Sequence, residues 1–166
     1  MSTSSNELLR MNLSRRQLLI SPCRDEAQYL RRTLDSVAAQ SMPPAHWVVV
    51  DDGSTDGTPA ILEECAQRLP YLRVVRRTDR GCREVGPGVI EAFYTGLETV
   101  RLEDFDHLCN LDMDLDLPVR YFELLMQRME SDPRVGTISA PANRGSPIRR
   151  AVRWYRKSVG RRCRPT

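Results

Sequence analysis

Apolar residues between positions 17 and 140 follow two spacings in turn, and this order predicts strands that alternate with helices. Five short apolar runs bounded by turn-forming residues predict strands over 17–21, 46–50, 72–75, 107–111 and 135–139. Pro22 is expected to end the first strand. Between the runs, apolar residues recur at intervals of three and four, which predicts helices. The first predicted helix ends near residue 40, and the second begins at residue 59. The third covers residues 89–100, and the fourth extends from residue 118 to about residue 132.

Strands and helices in this order predict an α/β domain. The alternation favours a Rossmann-like, mostly parallel sheet with helices on both faces. Ligands of such sheets bind outside the carboxyl ends of the strands. Three polar clusters are expected to meet at that edge, over residues 22–26, 51–56 and 112–116.

Capping residues are predicted at three helix starts. Asp25 is followed three positions later by Gln28, as in a capping box, and Thr58 precedes Pro59. Asp116, two residues before the start of the fourth predicted helix, is interpreted as the cap of that helix rather than as a metal ligand.

Carboxylates at alternate positions, Asp112, Asp114 and Asp116, follow the fourth predicted strand. In extended backbone this spacing places them on one side, where a divalent cation such as Mg²⁺ or Mn²⁺ would relieve their repulsion. A calcium loop that also uses Glu123 fits the spacing, but Leu117 stands where its turn glycine belongs. A phosphatase of the haloacid dehalogenase type would carry such a pair after its first strand.

Three segments together resemble family 2 glycosyltransferases: Ile20-Ser-Pro-Cys-Arg-Asp-Glu26, Val49-Val-Asp-Asp-Gly-Ser-Thr-Asp-Gly-Thr58 and Leu111-Asp-Met-Asp-Leu115. The resemblance covers residues 18–140. It implies the GT-A fold, with a UDP- or GDP-linked sugar donor lying across the strand ends. It also implies transfer of the sugar to an unknown acceptor, with inversion if the protein is complete.

The resemblance assigns residues to a nucleoside pocket. Asp51 or Asp52 would accept hydrogen bonds from the base or ribose, and Glu26, beside Pro22 and Arg24, would line the same pocket. Carboxylates suit this role because a base N–H and sugar hydroxyls are donors.

It also assigns residues to the diphosphate. Asp112 and Asp114 match the family's metal motif and would hold a divalent cation against the diphosphate, with Asp112 beside the nucleotide. The cation would offset the charge that develops on the leaving group. Arg80 and Arg83, in a glycine-bearing loop, would add positive charge there.

Charge divides the chain unevenly. Nine of the 25 Lys and Arg lie in residues 144–166, which hold no acid, so the first 143 residues carry 16 basic groups against 22 acidic ones. This excess of basic groups predicts a disordered basic tail over 141–166, and the Ser- and Asn-rich start predicts a flexible segment over 1–16. The resemblance implies an incomplete nucleotide-sugar-binding domain over 17–140. The tail is expected to contact anionic surfaces.

Other features of the composition favour a cytoplasmic protein. No run approaches the ~20 apolar residues of a membrane span. The five cysteines are odd in number and widely spaced, which favours reduced, mostly buried thiols.

The chain departs from the family's pattern after Asp116. Inverting members need a carboxylate base, and only Glu123, Glu130 and Asp132 remain. The sequence therefore suggests a truncated domain. A donor-binding remnant without turnover is one alternative, and a nucleotidyltransferase-like protein is another, although a Gly-rich basic loop after the first strand is missing.

Overall fold

The computed structural model of the chain describes residues 16–79, 81, 86–132, 134–141 and 151–156. These residues form six strands and four α-helices. In chain order they are β1 (Gln17–Cys23), α1 (Ala27–Ala38), β2 (His46–Asp51), α2 (Thr58–Arg68), β3 (Leu72–Arg76), α3 (Pro87–Leu97), β4 (His107–Asn110), α4 (Tyr121–Ser131), β5 (Thr137–Pro141) and β6 (Ala151–Arg156). A 3₁₀ turn, Leu102–Asp104, precedes β4.

The strands form one sheet in the order β3-β2-β1-β4-β6-β5. β3, β2, β1 and β4 are parallel neighbours, whereas β6 runs antiparallel to both β4 and β5. The predicted α/β class with a mostly parallel sheet is therefore confirmed.

Helices cover both faces of the sheet, as predicted. Alternate residues of a strand point to opposite faces, so Leu19 and Trp47 pack in one buried cluster with residues of α1, α2 and α4, while Ile20 and Val48 pack in another beneath α3. Each fully buried large apolar side chain contributes about 1.5–3 kcal/mol to folding. Apolar burial on the two faces therefore holds the sheet that positions the polar edge.

Pro22 does not end the first strand. β1 extends to Cys23, and Pro22 lies opposite Val50 of β2. The pairing of β1 with β4 stops at Ile20, so among the described residues no strand pairs with Pro22 on the β4 side. Because the ring nitrogen of Pro22 faces that open side, its missing N–H costs no ladder hydrogen bond.

The predicted boundary at residue 140 is wrong for one segment. Residues 151–156 lie in the segment predicted to be a disordered tail, yet they form β6 between β4 and β5. Basic composition argued for solvation, but backbone pairing with two strands satisfies the N–H and C=O groups of this segment. Smaller differences are that β5 begins at Thr137 and α4 at Tyr121.

Candidate functional site

The carboxyl ends of β1, β2 and β4 lie side by side, as the sequence predicted. Cys23 is paired with Asp51, and the Asp52 N–H donates to the Cys23 carbonyl at 2.8 Å. On the other side of β1, the Leu111 N–H donates to the Ile20 carbonyl at 3.1 Å. All three polar clusters therefore begin at one edge of the sheet.

Hydrogen bonds lock the loop after β1 to the loop after β2. The Asp25 N–H donates to Ser54 Oγ at 2.9 Å, and Asp25 Oδ1 accepts from the Thr55 N–H at 2.8 Å. The Glu26 N–H donates to Thr58 Oγ1 at 2.9 Å. Asp25 has a φ of 52°, a left-handed conformation that Asp tolerates better than most residues. The two loops thus form one hydrogen-bonded unit.

Asp56 joins the starts of α1 and α2. Its Oδ2 accepts from the Ala27 N–H at 3.1 Å and its Oδ1 from the Thr58 N–H at 2.9 Å. Desolvation acts to raise the pKa of Asp56, but hydrogen bonds from Thr58 and Ala27 outweigh it, and the pKa is lowered. One carboxylate therefore satisfies an N–H in the first turn of each of two helices.

The predicted helix caps are wrong at all three helices. The N-cap positions are Glu26, Gly57 and Arg120, and none of them makes a side-chain capping bond. Asp25 is turned towards the neighbouring loop, and Asp116 lies too far before α4 to cap it. Only the proline in the first turn of α2 is as predicted. At α1 and α2, hydrogen bonds between the two loops have replaced the local caps that a single segment would favour.

Asp51 and Asp52 are both buried and have different partners. Asp51 Oδ1 accepts from the Ser54 N–H at 2.9 Å, which closes the turn. Asp52 forms an ion pair with Arg77, Oδ1 to Nη1 at 2.9 Å, and Arg77 also pairs with Glu91 of α3 at 3.1 Å. Sequence reasoning missed Arg77, although its place directly after β3 was a signal for this edge.

Arg24 connects the first two loops to the segment after β3. Its Nη1 donates to the Asp52 carbonyl at 2.6 Å and its Nη2 to Asp79 Oδ1 at 2.7 Å. A hydrogen bond from the Gly81 N–H, then the bond from Arg24, lowers the pKa of Asp79. Gly53 has a φ of 74°, and a Cβ there would lie 2.4 Å from the Asp79 Cα. Asp79 was also missed by sequence reasoning.

The third cluster has alternating burial. Leu111, Met113, Leu115 and Leu117 are buried, and the aspartates between them are half-buried. The alternation matches the predicted separation of apolar and carboxylate sides, although a turn at 113–114 replaces regular strand.

Thr33 of α1 holds this segment in place. Its Oγ1 accepts from the Leu115 N–H at 2.9 Å and lies 2.9 and 2.7 Å from the carbonyls of Met113 and Leu115. Thr33 is fully buried. One hydroxyl therefore satisfies polar backbone groups that would otherwise be buried without partners.

The family model described as Glycosyl transferase family 2 matches residues 19–162. This chain belongs to that family. The match includes all three polar clusters and β6, so the resemblance drawn from the three motifs is confirmed.

Solved structures agree with the GT-A fold. A mannosyltransferase from Pyrobaculum calidifontis in complex with GDP-Man and Mn²⁺ is 25% identical, with a TM-score of 0.66 over 85% of this chain and 44% of that chain. S. aureus TarS is 25% identical, with a TM-score of 0.56 over 70% of this chain and 20% of that chain.

Curated relatives match a shorter part. Uncharacterised proteins of Mycobacterium bovis and Mycobacterium tuberculosis are 38% identical over 66 residues, which are 38% of this chain and 19% of the relatives. The chain thus matches about a fifth of the length of these relatives.

The donor set of this family 2 domain fits a hard divalent cation. Asp112 and Asp114 are half-buried carboxylates in the segment that follows β4. Within the described ranges no three His, Cys, Asp or Glu side chains are grouped as a metal site. Mg²⁺ is commonly held by one or two carboxylates together with substrate phosphates, so a pair is the expected number of protein ligands.

Burial, and then the charge of Asp112, raises the pKa of the Cys109 thiol well above its usual range.

Glu123 is engaged in a different contact. Its carboxylate accepts from Arg120 at 2.8 Å and from the Ser41 hydroxyl at 2.8 Å, and hydrogen bonds from Arg120 and then Ser41 lower its pKa to about 2. A carboxylate with so low a pKa is a poor general base at neutral pH. These contacts, together with the absence of a four-carboxylate group among the described residues, also argue against the calcium-loop alternative.

Several expectations fall at or beyond the limits of the described residues. Arg80 and Arg83 lie outside them, as do residues 1–15 and most of the predicted tail. Where the structure describes the chain, no helix is long and apolar enough to cross a bilayer. Cys23, Cys65 and Cys109 are buried free thiols, as predicted.

Proposed function

We propose that this family 2 domain binds a nucleotide-diphospho-sugar at the carboxyl edge of β1, β2 and β4 and takes part in transfer of the sugar to an acceptor. The observation that carries the proposal is the meeting of the three polar clusters at this one edge. Parallel α/β sheets bind ligands there. The likeness to a mannosyltransferase in complex with GDP-Man and Mn²⁺ supports the same class of donor.

The nucleoside would lie over the interlocked loops after β1 and β2. Asp51, with Pro22 and Glu26 beside it, would accept hydrogen bonds from the base or ribose. Asp52 is a weaker candidate because its carboxylate is paired with Arg77. A pocket held by hydrogen bonds between loops favours binding, since little conformational entropy remains to be lost when the ligand arrives.

The diphosphate would lie towards the third cluster. Asp112 and Asp114 would hold Mg²⁺ or Mn²⁺, which supplies Lewis-acid stabilisation of the leaving diphosphate when bound. Arg80 and Arg83 are proposed to add positive charge near the same group. Glu123 is held in its ion pair with Arg120, so a residue other than Glu123 is proposed to remove the proton of the acceptor.

Calorimetric titration tests this proposal. GDP and UDP, each with and without Mn²⁺ or Mg²⁺, are titrated into the wild type and Asp114→Asn. We expect cation-dependent binding of one nucleotide, weakened about tenfold or more in the variant, as for lost metal-site contacts. Asp116→Asn is the matched control in the same segment and should bind like the wild type.

Three results would contradict the proposal in different ways. If the wild type binds no nucleotide, the proposed donor site does not exist. An equal loss in Asp116→Asn would place the cation elsewhere in the segment. Stronger binding of a nucleoside triphosphate than of the diphosphate would favour the nucleotidyltransferase alternative.

A further inference from the structure

Arg24 lies in the loop after β1, among residues assigned to the nucleoside pocket, but its guanidinium is already occupied by protein groups. Both terminal nitrogens donate at short distance, one to the Asp52 carbonyl and one to the Asp79 carboxylate. Its Nε lies 3.6 Å from Asp25 Oδ2, and only 10% of the side chain is exposed. Other N–H groups of this guanidinium are not used in these two hydrogen bonds, but with 10% of the side chain exposed little of it is open to a phosphate or base.

The same contacts join three loops that leave the sheet at one edge. Arg24 belongs to the loop after β1, Asp52 to the loop after β2, and Asp79 to the segment after β3. Close packing of Gly53 against the Asp79 backbone adds a second contact between the latter two, because a Cβ on Gly53 would lie 2.4 Å from the Asp79 Cα. The position of Asp79 therefore depends on its ion pair with Arg24 and on the backbone contact with Gly53.

We propose that Arg24 is a positioning residue for nucleotide binding, which holds the loops after β1, β2 and β3 in their binding arrangement without contacting the nucleotide. The inference rests on the proposed function. It differs from a role for Arg24 as a ligand, because its effect passes through Asp52 and Asp79. Arginine suits the task, since its planar fork reaches two acceptors in fixed directions, whereas lysine offers a single ammonium.

The test compares a nucleoside with its diphosphate. Affinities for guanosine and GDP, or for uridine and UDP if the wild type prefers that base, are measured with Mn²⁺ by calorimetry and competitive displacement. The variants are Arg24→Gln, Arg24→Lys, Asp79→Asn and the double variant Arg24→Gln/Asp79→Asn. Arg31→Gln is the matched control, because it removes another arginine–carboxylate pair of this region, Arg31 with Glu64, on the exposed side of α1.

A positioning role predicts equal losses for nucleoside and diphosphate, about tenfold each in Arg24→Gln. Asp79→Asn should weaken both ligands in the same way, the double variant should be no worse than Arg24→Gln, and Arg24→Lys should recover part of the loss. Arg31→Gln should bind like the wild type. A role confined to stability would move the unfolding midpoint without moving affinity at a temperature where every variant is folded.

Other outcomes overturn the inference. A loss confined to the diphosphate, additive with Asp79→Asn, would make Arg24 a direct phosphate ligand. If a folded Arg24→Gln binds with the affinity of the wild type, Arg24 has no role in nucleotide binding. The proposed function would still stand in that case, because the wild type binds the nucleotide. If Arg24→Gln does not fold, the same comparison is made with Arg24→Lys and Asp79→Asn. Equal losses of nucleoside and diphosphate affinity in these variants support the positioning role, and a loss confined to the diphosphate contradicts it. Failure of the wild type to bind any nucleotide would overturn the proposed function and this inference with it.

Discussion

The loops after β1 and β2 and the aspartate segment after β4 reach the same edge of the sheet, but they are held in different ways. The first two are tied to each other by hydrogen bonds among Asp25, Ser54, Thr55 and Asp56 and the backbone between them. The aspartate segment, residues 111–117, is held by alternate apolar side chains and by the Thr33 hydroxyl.

The difference shows how one edge can carry both hydrogen-bonded loops and half-buried carboxylates. Polar side chains of the first two loops are largely used in bonding the protein to itself. In the aspartate segment the apolar residues anchor the chain, which leaves the carboxylates on the half-buried side. A nucleoside pocket benefits from the first arrangement, and a cation site needs the second, because its ligands must reach the ion.

The largest expected effect is on the interlocked loops, from Gly53→Ala. The substitution places a methyl group against the Asp79 backbone at a φ of 74°. We expect a loss of about 2–4 kcal/mol in the free energy of unfolding, from the left-handed conformation and the clash together. Urea denaturation measures it.

Gly81→Ala separates these two causes. Gly81 has a φ of 75°, but no atom of the described residues lies within 4 Å of its Cβ position. Gly81→Ala should lower the free energy of unfolding by about 1–2 kcal/mol, which is the cost of the left-handed conformation alone. Equal losses in both variants would show that the contact between Gly53 and Asp79 does not hold the loops together.

The next effect is on the aspartate segment, from Thr33→Val. The substitution keeps the shape but removes the hydroxyl that bonds Leu115, so a buried N–H and carbonyls lose their partner. We expect a loss of about 1–3 kcal/mol in the free energy of unfolding. Thr33→Ser, which keeps the hydroxyl, is the control. A Thr33→Val protein as stable as Thr33→Ser would show that apolar burial alone fixes the segment.

The smallest of the three effects is from Asp56→Ala, which removes one acceptor from two helix starts. We expect a loss of about 1–2 kcal/mol at pH 7, as for a lost N-cap. Because folding lowers the pKa of Asp56, its stabilisation is complete above the unfolded value of 3.8 and is lost as the pH falls through the folded value. Thermal unfolding from pH 7 to pH 2 should therefore show the difference between wild type and variant shrinking towards acid pH. A difference that is constant with pH would mean that the carboxylate charge is not involved.

Local patterns predicted five of the six strands described, the layers and the meeting of the three clusters, because hydrophobic period and strand–helix alternation are properties of short segments. They failed where distant segments compete with local bonding. Asp25 and Thr58 resemble caps of their own helices, yet each bonds the other loop. Pro22 resembles a strand end, but an open side of β1 accommodates it.

Residues with distant partners were missed for the same reason. Thr33 bonds a segment 82 residues away, and nothing in its neighbourhood in the sequence distinguishes it from other helix residues. Arg77 and Asp79 follow β3, which is a signal for this edge, but their partners became recognisable when the end of β3 was placed beside β2. Composition also misjudged residues 151–156, since pairing with β4 and β5 depends on which strands are adjacent.

By itself the sequence determined the α/β class, the family and the three polar clusters at the carboxyl edge, because these follow from periodicity and from motifs within a few residues. The tertiary structure decided which distant groups the polar side chains of this edge meet. In the folded protein Asp52 pairs with Arg77, and Asp56 accepts hydrogen bonds at the starts of two helices. Arg24 bonds the loop after β2 and the segment after β3. The physical reason is that hydrogen bonds and ion pairs act over a few ångströms in space, whatever the separation along the chain.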